Sequence, residues 1–386
     1  MYNILTLNKI SNVGLGVLTD NYTVSDTQSN PDAILLRSFK MHDYELPASL
    51  KAVARCGAGV NNIPLDKCAE KGIVVFNTPG ANANAVKELV LAGLFIASRK
   101  ITEADKWVQS MKGTEDVSKA VEKGKSTYAG PEIYGKTLGI IGLGAIGVLV
   151  ADAAIALGMK VYGYDPYLSV DGALALNSSV KKVDTIDEIF AVSDYITIHV
   201  PATNDTKNTF NAENIAKCKD GVRILNFARG ELTNSADMAE AVKSGKVAKY
   251  ISDFADDDLL GVENIICLPH LGASTPEAED NCAKMAALQM MDYLENGNIK
   301  NSVNYPALKA PRIPGKTRVC ILHKNMPNVI AKFTTIFGQA NINIEGLTNN
   351  SKGEYAYTVL DTDGVTDNVE NTIEAIDGVI RVRVIE

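Results

Sequence analysis

Histidine occurs only four times in this chain of 386 residues and tryptophan once. The six cysteines (Cys56, Cys68, Cys218, Cys267, Cys282, Cys320) are scattered, with no CxxC pair. The close ligand pairs of a zinc site and the dense spacing of a disulfide framework are both missing, so no metal is expected and the thiols are expected to be reduced and mostly buried. A basic surplus is missing too. Lys and Arg number 38 against 46 Asp and Glu, for a net charge of −8 and a pI near 5.2. That balance argues against nucleic acid or an anionic membrane as partner and leaves small anionic substrates open. Long apolar runs are absent: Leu89 to Ala97 falls far short of the roughly 20 residues that span a bilayer. No basic, apolar, cleavable leader opens the sequence, and the cytoplasm is the expected location. Neither a repeat nor a low-complexity tract is apparent.

What is present is an average apolar content, 46%, over a length that suits two to three domains. The first hundred residues alternate helix-like stretches with short apolar runs, Ala33 to Arg37, Leu50 to Arg55 and Gly72 to Asn77, the mark of parallel strands joined by crossovers. From Asn84 to about Gln109 the pattern predicts one long helix. A second series begins at Lys136: strand Thr137–Gly142, helix from about Ala145 to Leu157, then strands Lys160–Tyr164, Tyr195–Val200, Val222–Asn226, Tyr250–Asp253 and Asn264–Leu268. This is the succession of a doubly wound sheet. A helix from about Pro276 to Glu295 leads to a polar segment, Asn301 to Gly315, whose Pro306, Pro311 and Pro314 read as a semi-rigid linker. After it comes β-α-β-β-α-β, the ferredoxin-like order. The expected fold is α/β, with two doubly wound Rossmann-like domains, the first flavodoxin-like, and a C-terminal ferredoxin-like domain. The expected boundaries are 1–98 with 271–303, 99–270, a linker at 304–315, and 316–386.

The chemistry concentrates between residues 142 and 275. A lone GxGxxG fits an ordinary tight turn as well as a nucleotide site. Here Gly142-Leu143-Gly144-Ala145-Ile146-Gly147 sits between an apolar strand and a helix. Gly142 permits the turn, Gly144 lets the backbone approach a pyrophosphate, and Gly147 lets helix and strand pack closely. The helix N-terminus adds free N–H groups and partial positive charge. Asp165, eighteen residues after Gly147, closes the next strand, where a carboxylate accepts hydrogen bonds from both ribose hydroxyls and repels a 2′-phosphate. NAD is favoured over NADP; the competing reading is a turn residue before Pro166.

Arg229, between a strand and Gly230, places a planar cation at the carboxyl end of the sheet, suited to a 2-oxo or 2-hydroxy carboxylate. His270 follows a short strand and Pro269, and imidazole can take a proton from a C2 hydroxyl and return it in reduction. Asp258 or Asp257 could orient that ring, although an Asp-rich turn is more often only solvated loop.

These segments together, with Asp253-Phe254 and Pro269–Thr275, resemble the D-isomer-specific 2-hydroxyacid dehydrogenases over nearly the whole chain. The resemblance implies that Arg229 binds the substrate carboxylate and carbonyl, that His270 is the acid/base, and that Asp253 contacts the nicotinamide amide. It adds Ala145, Ile146, Val200, Phe227, Ala228, Gly272 and Ala273 to the cofactor residues. The family's third catalytic residue is a glutamate; here that position holds Asp258, one methylene shorter. Leu36-Arg37-Ser38 and Ala54 to Asn62 are similar to the family members that oxidise 3-phospho-D-glycerate to 3-phosphohydroxypyruvate, the first step towards L-serine, in which two arginines face substrate anions across the cleft. Arg37, Ser38, Arg55, Gly57 and Ala58 are the implied substrate residues. Lys125 lies where relatives carry a basic residue reaching a neighbouring subunit's site, in keeping with a homodimer or homotetramer. The tail resembles an ACT domain, and His323, Asn325 and Asn343 match positions that bind L-serine as effector. Asn328 stands where relatives carry glycine. Two further readings stay open: a hydroxypyruvate or glyoxylate reductase or other D-2-hydroxyacid dehydrogenase, and an NAD-sensing binding protein on the same fold.

Overall fold

The structure is a computed structural model and describes residues 1–168, 170–365 and 367–386. Among the described residues the strands form three sheets. The first comprises β1 (Tyr2–Leu7), β2 (Tyr22–Ser25), β3 (Ala33–Leu36), β4 (Ala52–Arg55) and β5 (Val74–Phe76), all parallel, in the order β2-β1-β3-β4-β5. This is the flavodoxin-like order. β3 to β5 are buried almost throughout, as their unbroken Ala, Val, Ile and Leu runs require when helices cover both faces.

The second sheet holds β6 (Thr137–Ile141), β7 (Lys160–Tyr164), β8 (Lys181–Lys182), β9 (Tyr195–Ile198), β10 (Val222–Asn226), β11 (Val247–Ser252) and β12 (Ile265–Cys267). Its order is β12-β11-β10-β9-β6-β7-β8, again parallel, and the strand order reverses between β6 and β9. Open α/β sheets bind ligands at such a switch point, beyond the carboxyl ends of the strands. The helix expected over 84–109 is two helices, Ala83–Ser98 and Ile101–Gln109, broken at Arg99-Lys100. The first packs its Val86, Val90, Leu94 and Ala97 into the core of the second sheet; the second buries none of its residues. The break itself carries neither glycine nor proline, which hid it.

Main-chain packing divides the chain into two compact units, Met1–Asn82 with Glu279–Glu386, and Ala83–Ala278. The division falls at 82/83 and 278/279 because the helix Ala83–Ser98 belongs with the second sheet. No helix among the described residues is long and apolar enough to cross a membrane, and all six cysteines are free.

The third sheet is antiparallel: β13 (Thr317–Lys324), β14 (Ile344–Lys352), β15 (Tyr355–Thr362) and β16 (Val379–Ile385), in the order β14-β15-β13-β16. One face carries Val319, Ile321, Leu360 and Val382 against its own two helices. The opposite face carries Cys320, Leu322, Tyr357 and Val359 into a core shared with Met290, Tyr293 and Leu294 of the helix Pro276–Asn296 and with Tyr305 and Leu308. The segment 304–315 is therefore packed rather than a free spacer: Tyr305, Leu308 and Ala310 are buried, and Leu308 forms an antiparallel bridge with Ile299.

The end of the helix Pro276–Asn296 explains the arginines of that sheet. A helix C-terminus leaves carbonyls without intrahelical partners and carries partial negative charge. Arg383 donates to the carbonyls of Tyr293 and Leu294 at 3.2 and 2.8 Å, and Arg318 donates to that of Asn296 at 2.8 Å. The Tyr357 hydroxyl reaches the Gly297 carbonyl at 2.6 Å. The C-terminal sheet thus caps this helix.

Candidate active site

Every strand of the second sheet except β8 leads into a residue of interest. After β6, Gly142 has φ +94°, a conformation open to glycine, and a Cβ there would lie 2.8 Å from the His199 carbonyl. A Cβ on Gly147 would lie 2.0 Å from the Gly142 carbonyl, so the helix Ala145–Ala156 could not pack as it does with any larger residue. Gly144, by contrast, faces open space, and it and Ala145 are exposed at the helix N-terminus, while Ile146 is half-buried. An exposed twelve-residue helix start with room beside its second glycine fits a dinucleotide pyrophosphate.

Asp165, just after β7, accepts a hydrogen bond from the Leu143 N–H at 2.9 Å and from the Tyr167 N–H at 2.8 Å. Its carboxylate therefore ties the glycine-rich turn to the end of β7, with lone pairs left over for a ribose. Val200, half-buried after β9, lies against the Gly142 turn. Phe227 is a core residue, in van der Waals reach of Gly93, so only its backbone is placed to meet a ligand.

His199 precedes Val200. Its Nε2 is 3.0 Å from the Thr197 hydroxyl, while Nδ1 is buried without a hydrogen-bond partner among the described residues. Burial pushes its pKa down to about 3. In the unfolded chain a histidine titrates near about 6.5. As pH falls the unfolded state takes up the proton first, so stability is complete above that value and is lost progressively down to about pH 3. The expected loss is at most about 1.4 kcal/mol per pH unit. Urea unfolding at pH 7 and 5 should show a steeper fall in the parent than in His199→Gln, which keeps only the contribution of the other buried histidine, His323; equal slopes would mean that His199 contributes none of it.

Arg229 follows β10 in extended backbone and is half-buried. The fully buried Asn226 builds its loop: Oδ1 accepts from the N–H groups of Ala228 and Arg229 at 3.1 and 3.3 Å, and Nδ2 donates to the Arg229 carbonyl at 2.8 Å. The guanidinium donates to the Ala228 carbonyl at 2.6 Å. No carboxylate pairs with it among the described residues.

His270 lies three residues beyond β12, exposed, at φ +57°. Its ring centroid is 4.9 Å from that of Phe254, and its ring nitrogens have no hydrogen-bond partner among the described residues. Asp253, 1% exposed, accepts from the N–H groups of Leu271 and Gly272, both at 2.7 Å. Ala273 is half-buried, and Thr275 caps the next helix by accepting from the Ala278 N–H at 3.1 Å. Asp258 is exposed, its N–H bonded to Asp256 at 3.2 Å. No hydrogen bond or ion pair joins it to His270 among the described residues. One reason is that Asp256 makes the turn compact, its carboxylate accepting also from Leu259 N–H and from the Ser235 hydroxyl.

In the first unit, Arg37 and Ser38 follow β3. Their loop is held by Asn8, at φ +87°, whose Oδ1 accepts from the N–H groups of Arg37, Ser38 and Phe39 at 3.3, 3.0 and 2.8 Å. Arg37 pairs with Glu279 at 2.6 Å. Arg55, at the end of β4, donates through Nε to the Arg37 carbonyl at 3.2 Å and lies against Gly57, whose φ of +152° leaves the guanidinium its space. The Ala58 carbonyl accepts from Asn77 at 2.7 Å. Lys125 opens an exposed 3-10 turn and pairs with Glu122.

In the C-terminal sheet His323 is 1% exposed, with Nδ1 2.8 Å from the Lys324 carbonyl and Nε2 2.8 Å from the Thr358 hydroxyl. Burial pushes its pKa down. Both nitrogens are occupied within the chain, so it serves as an internal packing group. Asn325 and Asn343 are exposed, donating to the Gly353 carbonyl at 3.2 Å and to Glu345 at 3.1 Å. Asn328 adopts φ +65° where a glycine would be at ease. Asn226 opens the Asn-x-Ala-Arg-Gly segment legible around Arg229, but the sequence assigned it no role, and Asn8 gave no signal.

Residues 91–272 match the family model "D-isomer specific 2-hydroxyacid dehydrogenase, NAD binding domain". The chain is 34% identical over 327 residues to D-3-phosphoglycerate dehydrogenase of Bacillus subtilis, covering 80% of this chain and 60% of that relative. To the enzyme of the same name from Haemophilus influenzae it is 32% identical over 353 residues, 88% of this chain and 82% of the relative. The fold resembles a glyoxylate reductase from Paecilomyes thermophila with TM-score 0.66 and 25% identity, over 78% of this chain and 98% of that one. It also resembles D-mandelate dehydrogenase of Rhodotorula graminis, with TM-score 0.67 and 21% identity over 80% and 99% of the two chains. This chain therefore belongs to the D-isomer-specific 2-hydroxyacid dehydrogenase family.

Proposed function

We propose that this protein oxidises 3-phospho-D-glycerate to 3-phosphohydroxypyruvate with NAD. The observation that carries the reading is the row of strand ends of one parallel sheet that holds the glycine turn, Asp165, Arg229 and His270 together at its carboxyl edge. NAD, when bound, supplies the hydride acceptor. Gly142, Gly144 and Gly147 leave the space for it, and Asp165 selects against a 2′-phosphate. Arg229 holds the substrate carboxylate and the oxygen that becomes a carbonyl, and its charge grows in value as that oxygen gains electron density in the reverse direction. His270 takes the hydroxyl proton. Arg37 and Arg55 supply the cations that a phosphate requires. Support for the substrate comes from the relatives' names, from both arginines, and from the loops built to present them.

Asp165→Ser should shift the ratio of kcat/KM values from NAD towards NADP, and a parent enzyme that already prefers NADP would contradict the role. For the substrate, the test is kcat/KM in the reductive direction for 3-phosphohydroxypyruvate, hydroxypyruvate, 2-oxoglutarate and pyruvate, in the parent and in Arg55→Ala. Loss confined to the phosphorylated substrate is expected; equal loss on all four would reassign Arg55 to the loop. As effector reading, L-serine is held by Asn325 and Asn343, whose amides can each donate and accept. Calorimetry with millimolar serine, on the parent and Asn343→Ala, decides it: heat lost in the variant supports the site, and no heat in the parent discards it.

A further inference from the structure

We propose that Asp253 is a positioning residue for the proton carrier: its buried carboxylate clamps the turn 270–272 and thereby holds His270 in the left-handed backbone conformation from which the imidazole projects. The inference rests on the reading of His270 as acid/base. Left-handed angles are uncommon for residues with a side chain, and persist where the surroundings over-determine them. Here the surroundings are Asp253 on three sides. Its carbonyl accepts from the His270 N–H at 3.1 Å, Oδ1 from Leu271 and Oδ2 from Gly272, both at 2.7 Å. Asp253 is itself anchored, its N–H donating to the Asn226 carbonyl at 3.0 Å. Three consecutive N–H groups thus end on one residue, two of them on its side-chain oxygens in a buried setting, where water does not compete for such bonds.

The ring makes the clamp matter. Among the described residues no hydrogen bond reaches either imidazole nitrogen; the ring lies beside Phe254, and its place is set by its backbone. Asp258, the acid expected to orient it, does not reach it. Gly272 completes the device, because a Cβ there would sit 3.1 Å from Oδ2, tight enough to press on the carboxylate, and 3.5 Å from Val86, an ordinary contact.

The resemblance instead gives Asp253 a contact to the nicotinamide amide, and the two roles separate in measurement. Asp253→Asn turns an NH2 group towards an N–H. We expect kcat to fall by about 100-fold, as a catalytic group displaced by about 1 Å does, with NADH affinity within about twofold and with faster hydrogen exchange at residues 270–272. Gly272→Ala, which presses on the clamp without changing charge, should reproduce the fall in kcat and the faster exchange. NADH affinity lost in step with activity, with exchange unchanged, overturns the clamp. His270→Asn measured alongside keeps the two readings apart: if it retains full turnover the acid/base assignment fails, whereas the exchange data still report on Asp253.

Discussion

Replacing His270 by asparagine is expected to lower turnover by about 10²–10⁴-fold while leaving NADH binding nearly intact. Asparagine is the apt replacement because the position has φ +57°, which Asn tolerates better than most side chains. The bonds from residues 270–272 to Asp253 are backbone bonds on the turn side, so the variant keeps them and loses only the imidazole. A fall in kcat can then be read as loss of the proton carrier rather than collapse of the turn. Steady-state kinetics and a fluorescence titration with NADH check it. Turnover within twofold of the parent would show that another group carries the proton.

The largest effect on stability is expected away from the chemistry, in Asp361→Ala. Arg318 has no exposed surface and uses all five of its donors: Nε and Nη2 pair with Asp361 at 2.8 and 2.7 Å, and the rest reach the carbonyls of Asn296, Ala310 and Pro311. Removing the carboxylate leaves a buried guanidinium without its counter-charge, which costs about 3–5 kcal/mol. Replacing both partners, as in Arg318→Met with Asp361→Leu, should recover only part of that, because the apolar pair removes the unpaired charge but leaves the carbonyls of Asn296, Ala310 and Pro311 without their donor. Arg383 shows the complementary case of a buried cation facing a helix C-terminus instead of a carboxylate. Urea unfolding of the parent, the single variant and the pair measures both. A single variant within about 1 kcal/mol of the parent, the range of an exposed ion pair, would mean that water reaches Arg318.

The same contacts bear on the role of the C-terminal sheet. Cutting the chain after Pro314 would expose Met290, Tyr293, Leu294 and Tyr305, each worth about 1.5–3 kcal/mol when buried. The remaining protein is therefore expected to be unstable rather than merely unregulated.

Much of this architecture was legible from the order of apolar runs. Six of the seven parallel strands of the second sheet read clearly because each is a short apolar run closed by a turn, whereas β8, two exposed lysines, gave no signal; the β-α-β-β-α-β tail was evident from alternation and length. β1 and β2 were harder: Asn3 and Thr6 interrupt the one, and Tyr22-Thr-Val-Ser25 is short and half exposed at the sheet's edge. The break at Arg99-Lys100 carried no glycine or proline. At the site, residue types with obvious chemistry, Arg229, His270 and Asp165, could be picked out. What could not be read was the scaffolding by Asx side chains: Asn8 under the Arg37 loop, Asn226 under Arg229, and Asp253 under His270. Each works by accepting backbone N–H groups at a spacing that only the folded chain defines. Asp258 makes no bond to His270 among the described residues, and its backbone is tied instead into the turn around Asp256, a contact that the sequence did not announce.

The central claim is that NAD takes a hydride from 3-phospho-D-glycerate at this sheet edge. The most direct measurement is NADH absorbance on mixing the purified protein with NAD and 3-phospho-D-glycerate, with a carbonyl trap such as hydrazine to draw the reaction forward. One NADH is expected for each trapped 3-phosphohydroxypyruvate, formed about 10²–10⁴-fold more slowly with His270→Asn at the same enzyme concentration. Absence of NADH formation with the parent protein, while NADH still binds, would contradict it and favour a cofactor-sensing role on the same fold.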